Sequence, residues 1–392
     1  MKILIVAMAE SIHTARWLNQ IIDQAWDIHL FPANDFGVIH PEIKNVTIYH
    51  SFYGLQKNIN SSVKVRGFSL LFKPIASLCK ILVQKLFPQY RIFQLKRIIS
   101  RLKPDIVHSL EIQHAGYLTH AVKKLWKNRF PISIITNWGS DIYLFGRLAE
   151  HEPKIRAVLE SSDYYSCECK RDVCMAREYG FKGKVLPVFP NTGGFDLEVV
   201  SRLRSDGAIS ERKKIMLKGY QGWSGRALVG LRALERCVDI LAGYEIVMYS
   251  ASKEVLIAAE LFSKSTGVQT TIIPKETPHH EILKLHGKAR ISIGLSISDA
   301  ISTSLLEAII MGSFPIQSWT SCGNEWIEDG KNGILVPPDD PDVVENAIRK
   351  ALTDDNMVNN AADSNWLTSV ERLNANNLKR RTIEFYKQTI GQ

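Results

Sequence analysis

Short apolar runs punctuate the chain at intervals that leave room for one amphipathic helix between neighbours. KILIVAM (2–8), WDIHLFP (26–32), DIVHSL (105–110), ISIITNW (132–138) and DYYSCEC (163–169) form one set. KIMLKGY (214–220), YEIVMYS (244–250), QTTIIP (269–274), ARISIGLS (289–296) and FPIQSW (314–319) form a second. Runs that are apolar at consecutive positions, and of this length, read as strands buried on both faces. Their alternation with helices specifies an α/β protein with parallel sheets, whose ligands gather at the carboxyl ends of the strands. Between the sets, PVFPNTGGFDLEVVSRLRSDGAISERKK (187–214) replaces periodicity with Pro, Gly and charge, which places a boundary near residue 195. The expected domains are 1–194 and 195–365. A closing helical segment, 366–392, with Leu373, Leu378, Ile383 and Phe385 as its apolar positions, is expected to pack back towards the first.

Composition narrows the class without changing this picture. The 392 residues exceed what one core usually holds, and 45% hydrophobic with 23% charged residues excludes disordered and fibrous chains. The six cysteines are scattered, without zinc-module spacing, so they read as reduced thiols in a cytoplasmic protein and no metal is expected. The apolar start ILIVAMA is too short for a leader and is followed by Glu10; it reads as the first strand. No run approaches the roughly 18 apolar residues of a membrane span.

The chemistry concentrates in SISDAISTSLLEAIIMG (296–312). A strand ends before it, and Leu305, Leu306, Ile309 and Ile310 give the following helix a buried face that stops at Gly312. Asp299 then lies in the strand-to-helix loop and Glu307 in the second turn, at most roughly 12 Å apart at helical rise. Ser302, Thr303 and Ser304 put hydroxyls and uncommitted backbone amides at the helix N-terminus, where the dipole favours an anion. An anion cradle flanked by two carboxylates suits a sugar joined to a nucleoside diphosphate. On spacing alone, the pattern is also that of an ordinary capped helix.

The residues that follow separate these readings. Asp299 and Glu307, Leu306-Glu307-Ala308, Gly312, Pro315, Gly323/Asn324/Glu325, Asp329-Gly330-Lys331-Asn332-Gly333 and Val336-Pro337 together resemble the donor-binding signature of the retaining GT-B glycosyltransferases of the large family 4, or group 1, type. That resemblance implies two Rossmann-like domains with parallel sheets facing across a cleft, the nucleotide-sugar held mainly by the second. It implies that Glu307 and Leu305 lie against the donor, with Glu307 on its ribose. It also implies that Asp299, standing where the family more often has Glu, meets the hydroxyls of the donor sugar. KIMLKGYQGWSGRALVGLRALERC (214–237) resembles the family's diphosphate clamp, with Tyr220 in the Arg position and Arg226 in the Lys position. Arg226 is the expected charge on the leaving diphosphate, and Lys218, beside Gly219, is close enough to replace the missing cation. Both are alternatively solvated charges at a helix start.

The acceptor side matches the family less well. AESIHTARWL (9–18) has no glycine where the family turns sharply; Ser11 is the expected N-cap, and His13 is as readily structural as functional. TNWGSDIYLFG (136–146) resembles the family's Thr-x-His-Gly-x-Asp segment with Trp138 in place of His, leaving Ser140 and Asp141 as the polar candidates. His108 and His114 are the expected cleft-lining histidines, with satisfied structural roles as the alternative. The family's retaining transfer is described as front-face attack in which the donor phosphate takes the acceptor proton, so the lost imidazole does not remove the reaction.

Charge adds one further feature. From residue 43 to 104 there is no Asp or Glu, while Lys44, Lys57, Lys64, Arg66, Lys73, Lys80, Lys85, Arg91, Lys96, Arg97, Arg101 and Lys103 are basic. Leu71, Ile75, Leu78, Leu82 and Leu86 form one helical stripe within that stretch, so 64–103 has the makings of a face for an anionic membrane, each cation worth around 1 kcal/mol. A solvated basic face is the alternative. Nucleic acid is not the expected partner, because no zinc finger, aromatic RNP pair or recognition helix accompanies the charge. The function expected is transfer of a hexosyl unit from a UDP- or GDP-sugar, with no cofactor, to a glycan or lipid-linked acceptor at the inner face of a membrane in surface polysaccharide synthesis. A nucleotide-sugar epimerase of the same architecture and a catalytically silent scaffold are the rivals.

Overall fold

The computed structural model describes residues 1–54, 59–70 and 72–391; Lys57 and Leu71 of the basic, striped stretch lie outside them. Two compact units divide the chain: residues 1–193 with 377–392, and 194–376.

The first unit is built on β1 (Lys2–Ala7), β2 (Asp27–Pro32), β3 (Thr47–Gly54), β4 (Lys64–Leu70), β5 (Ile106–Leu110), β6 (Ile132–Thr136), β7 (Tyr164–Ser166) and β8 (Lys184–Val185). All pair in parallel, in the order β4-β3-β2-β1-β5-β6-β7-β8. The second has β9 (Lys214–Lys218), β10 (Glu245–Tyr249), β11 (Gln269–Ile272), β12 (Ala289–Gly294), β13 (Phe314–Ser318) and β14 (Ile334–Val336), also parallel, in the order β11-β10-β9-β12-β13-β14. In each sheet the strand order reverses at one point, between β1 and β5 and between β9 and β12. Such reversals leave a crevice at the carboxyl ends of the strands, the usual ligand position in an open α/β sheet.

The residues explain the layout. β1 and β12 are buried along nearly their whole lengths; β1 is accordingly apolar on both faces, whereas β12 also buries Arg290 and Ser292, which are hydrogen-bonded to Ala351 O and Ser313 Oγ. Each unit carries its own core: Ile3, Ile5, Trp17, Leu18 and Leu30 in the first, Ile215, Leu217, Ile246, Ile293 and Ile316 in the second. Four strands carry no such signal. β4 is an edge strand with an exposed face and basic residues, β3 alternates buried with half-buried positions, and β8 and β14 are two and three residues long.

The end of the chain differs from expectation. Trp366 lies inside the helix Asp355–Arg372, and the chain belongs to the second unit until Asn376. Phe195 N donates to Leu373 O at 2.8 Å and Ala375 N to Phe195 O at 2.9 Å, closing that unit. The helix Ala375–Thr389 then packs into the first unit. There Trp17 Nε1 donates to Tyr386 Oη at 2.8 Å, and Thr382 Oγ1 donates to Gln20 Oε1 at 2.8 Å.

Candidate active site

In the second unit, the crevice between β9 and β12 is where the expected residues converge. β9 ends at Lys218; a loop follows β12 to Ser302, and the helix Thr303–Met311 begins there. Ser302 does not cap this helix with its side chain. Its Oγ instead pairs with Ser304 Oγ at 2.7 Å and accepts from Lys218 Nζ at 3.3 Å. The backbone amides of Thr303 and Ser304 make no hydrogen bond among the described residues. An ammonium thus stands beside two open N–H donors and the positive end of a helix dipole, which is the chemistry of an anion site. Among the described residues, neither unit by itself gathers three metal-ligating side chains at one point.

Glu307 is buried one turn further on. Burial pushes its carboxyl up, but the hydrogen bond from His279, together with the fields of His286, His279 and Lys218, outweighs that and holds it below the usual carboxylate range. His279 Nε2 lies 2.7 Å from Oε1 and His286 Nε2 lies 3.7 Å from Oε2. His286 is itself fully buried and pushed down to about 4, so it is neutral at physiological pH. Tyr249 bonds to Ser304 and packs edge-on against His286 at 5.4 Å. None of His279, His286 or Tyr249 is singled out by the donor motif. The signal for the pair was the spacing of His279 and His286, seven residues and two turns apart on one helix, hence on one face.

Asp299 is half-buried in the loop, and its Oδ1 accepts from Ala300 N at 2.9 Å. Leu305 is buried in the helix. Gly219 fits a tight approach: a Cβ there would lie 2.8 Å from Ala251 Cα. Gly225 is tighter still, because a Cβ would come within 2.1 Å of Tyr220 O where Gly225 bridges to Ser296. Arg226 sits at the start of the helix Ala227–Arg236, but its Nε donates to Asp339 Oδ1 at 2.6 Å and its Nη1 to the carbonyls of Gly222 and Gly225. Asp339 therefore already compensates much of that charge, and Lys218 is the cation seated at the Ser302 turn.

In the first unit the carboxyl ends of β1, β5 and β6 carry the remaining candidates. Ser11 Oγ accepts from His13 N at 3.2 Å as the N-cap of the helix Ile12–Asn19, leaving the His13 side chain exposed with its ring 5.6 Å from that of Trp138. After β5, Glu111 adopts φ +86° and caps a π-helical turn, Ile112–Gly116, by accepting from His114 N and Ala115 N. Non-glycine residues in that region, and π-turns, cluster at functional sites. His114 Nδ1 lies 3.0 Å from Glu111 Oε1, a hydrogen bond that raises the imidazole's pKa.

Two expectations need correction here. His108 does not line a crevice: it is fully buried, with Nδ1 2.7 Å from Tyr386 Oη, Nε2 2.6 Å from Thr136 Oγ1, and its pKa pushed down to about 3 by burial. It is a satisfied core histidine. Asp141 is also enclosed: its Oδ2 accepts from Trp138 N and Ile112 N, both at 2.9 Å, and burial with the nearby Glu111 raises its pKa well above normal. That is a position for orienting the Trp138 and Ile112 loops rather than for contact with substrate. Ser140, also buried, shapes the same turn by accepting from Leu144 N and Phe145 N.

Comparison with known proteins agrees with this distribution over both units. Residues 254–365 match the family model of glycosyl transferases group 1, and residues 79–167 match that of glycosyl transferase 4-like proteins. These matches, one in each unit, support a group 1 glycosyltransferase. Its fold is GT-B. A sucrose-phosphate synthase from Thermosynechococcus elongatus superposes with a TM-score of 0.70 at 13% identity, covering 100% of this chain and 99% of that one. HepE of Anabaena, in complex with UDP-glucose, superposes with a TM-score of 0.67 at 12% identity, covering 99% and 100%. A glycosyltransferase from Rickettsia africae gives 0.65 at 14% identity, covering 99% and 98%. At these identities the likeness is one of fold. No curated protein matches the chain in sequence.

Proposed function

We propose that this glycosyltransferase moves a hexosyl unit from a UDP- or GDP-sugar to a hydroxyl of a glycan or lipid-linked acceptor in surface polysaccharide synthesis, with retention at the anomeric carbon. The observation that carries the reading is the open anion site at the β9/β12 crevice: Lys218 beside the vacant amides of Thr303 and Ser304, with an ionised Glu307 one turn away. The donor diphosphate occupies the amides and the ammonium, and Glu307 accepts from the ribose hydroxyls. Asp299 reads the sugar. Donors aimed at the charge that grows on the leaving diphosphate are worth about 3 kcal/mol each when preorganised. The acceptor proton passes to the departing phosphate oxygen, so the reaction needs no imidazole at Trp138. HepE, whose structure holds UDP-glucose, lends weight to a UDP-sugar donor.

A lipid-linked acceptor is supported by the helix Lys73–Leu86. Among the described residues it buries only Ala76, and Ile75, Leu78, Ile81, Leu82 and Leu86 are all about half exposed or more. With fourteen residues it is too short to cross a bilayer but suited to lie on one.

Labelled UDP-glucose and GDP-mannose, each incubated with and without a glycan and lipid-glycan acceptor set, test the proposal. Transfer that requires acceptor, with the new linkage retaining the donor's anomeric configuration by NMR, is the expected result. An epimerised sugar formed without acceptor would replace this reading with an epimerase; donor binding with no turnover on any acceptor would replace it with a scaffold.

A further inference from the structure

Glu307 takes its hydrogen bond from a residue that its own helix does not fix. His279 is the first residue of the helix His279–Gly287, behind Pro278 and with no side-chain cap. Helix ends fray, and a side chain in the first position has no preceding turn to lie against. Its side chain is 42% exposed, yet Nε2 lies 2.7 Å from Glu307 Oε1. Support from outside the helix holds the imidazole in that direction.

That support is Phe195. The two rings stack, with centroids 6.4 Å apart and planes 25° from parallel, within the range of a favourable aromatic pair. Phe195 is buried and its backbone is tied on both sides: N donates to Leu373 O at 2.8 Å, and O accepts from Ala375 N at 2.9 Å. Gly193 and Gly194 precede it at φ +83° and +69°, left-handed values that glycine adopts freely. Asp196 follows it and caps the helix Leu197–Leu203 by accepting from Glu198 N and Val199 N. The stretch by which the chain enters the second unit is thus bonded to the stretch by which it leaves. Together they present one ring to His279.

The contacts form a line inside the second unit: Leu373 and Ala375 to Phe195, Phe195 to His279, His279 to Glu307. Supporting side chains locked in this way hold a binding group to within roughly 0.5 Å of its working geometry. We propose that His279 and Phe195 are positioning residues for the donor's ribose, aiming the Glu307 carboxylate from the chain crossover. This rests on Glu307 being the ribose acceptor of the proposed function. The pyrophosphate grip at Lys218 and the amides of Thr303 and Ser304 lies outside the line. Coupling between sites is reciprocal, so a nucleotide that engages Glu307 steadies Phe195 and Ala375 in turn.

Calorimetric titration of the full-length protein with UDP, GDP, their dideoxyribose forms and inorganic pyrophosphate separates ribose from phosphate recognition. In the wild type, UDP or GDP is expected to bind more tightly than the form lacking the ribose hydroxyls. His279→Ala is expected to lose about tenfold in affinity for that nucleotide, the order of one hydrogen bond to a charged group. Its affinities for the dideoxy form and for pyrophosphate stay at the wild-type values, whereas a merely structural disturbance would weaken all three. Phe195→Leu, which stays apolar but has no ring, is expected to show the same ribose-dependent loss; if it does not fold, His279→Ala carries the test. Hydrogen exchange at the Phe195 and Ala375 amides is expected to slow with nucleotide in the wild type and not in His279→Ala. Unchanged nucleotide affinity in His279→Ala, an equal loss for the dideoxy form, or no protection of those two amides in the wild type overturns this inference alone. A wild type that binds neither UDP nor GDP overturns the proposed function together with it.

Discussion

Replacing Glu307 with glutamine is expected to weaken nucleotide-sugar binding by about a hundredfold while the protein stays folded. Burial alone would protonate this carboxyl; the hydrogen bond from His279 and the fields of His286 and Lys218 keep it charged. A charged acceptor strengthens each hydrogen bond from a ribose hydroxyl to about 1.5–3 kcal/mol, and losing about 2.7 kcal/mol is a hundredfold in affinity. Glutamine keeps the volume and leaves His279 a partner, so the melting temperature should move by only a few degrees. Alanine is the poorer variant, because it leaves His279 and His286 facing a void and mixes stability with binding. Calorimetric titration of the donor into Glu307→Gln makes the check; unchanged affinity in the folded variant would remove Glu307 from the site.

Acidification is expected to loosen the second unit before the first. His286 sits at about 4 in the folded state against about 6.5 unfolded, because burial disfavours its charged form. Between those values the unfolded chain binds a proton that the folded one does not, so stability falls as pH falls, by about 1.4 kcal/mol per unit and about 2 kcal/mol by pH 5. Glu307, held below its usual range, adds loss of the same sign at lower pH. In the first unit His108, at about 3, acts in the same direction. There Asp141, raised by burial and Glu111, opposes it, because an acid that binds its proton more readily when folded gains stability as pH falls. Urea unfolding followed by hydrogen exchange in β12 and β5 at pH 7 and 5 separates the units. A steeper drop in β12, flattened by His286→Gln, is expected; equal, pH-independent midpoints would contradict it.

The sequence discloses what burial imprints on it. β1 and the middle of β9 are covered on both faces and read as unbroken apolar runs. β4, an exposed edge strand, and the two residues of β8 carry no such imprint. The turn at Ser302 was legible because an anion site needs small hydroxyl residues and a helix start next to one another in the chain. Partners distant in sequence were not. Nothing around His108 reveals that Tyr386, 278 positions away, reaches its ring, and nothing around Arg226 announces Asp339. Charge density likewise fails to tell an outward cation from an inward one, so Lys80 and Arg91 look in sequence like part of a surface they do not wholly belong to.

The most direct test is a crystal structure of the protein soaked with UDP-glucose or GDP-mannose. The expected result places diphosphate oxygens within hydrogen-bond reach of the Thr303 and Ser304 amides and of Lys218, with the ribose against Glu307. Nucleotide bound with its phosphates away from Ser302–Ser304 would contradict it.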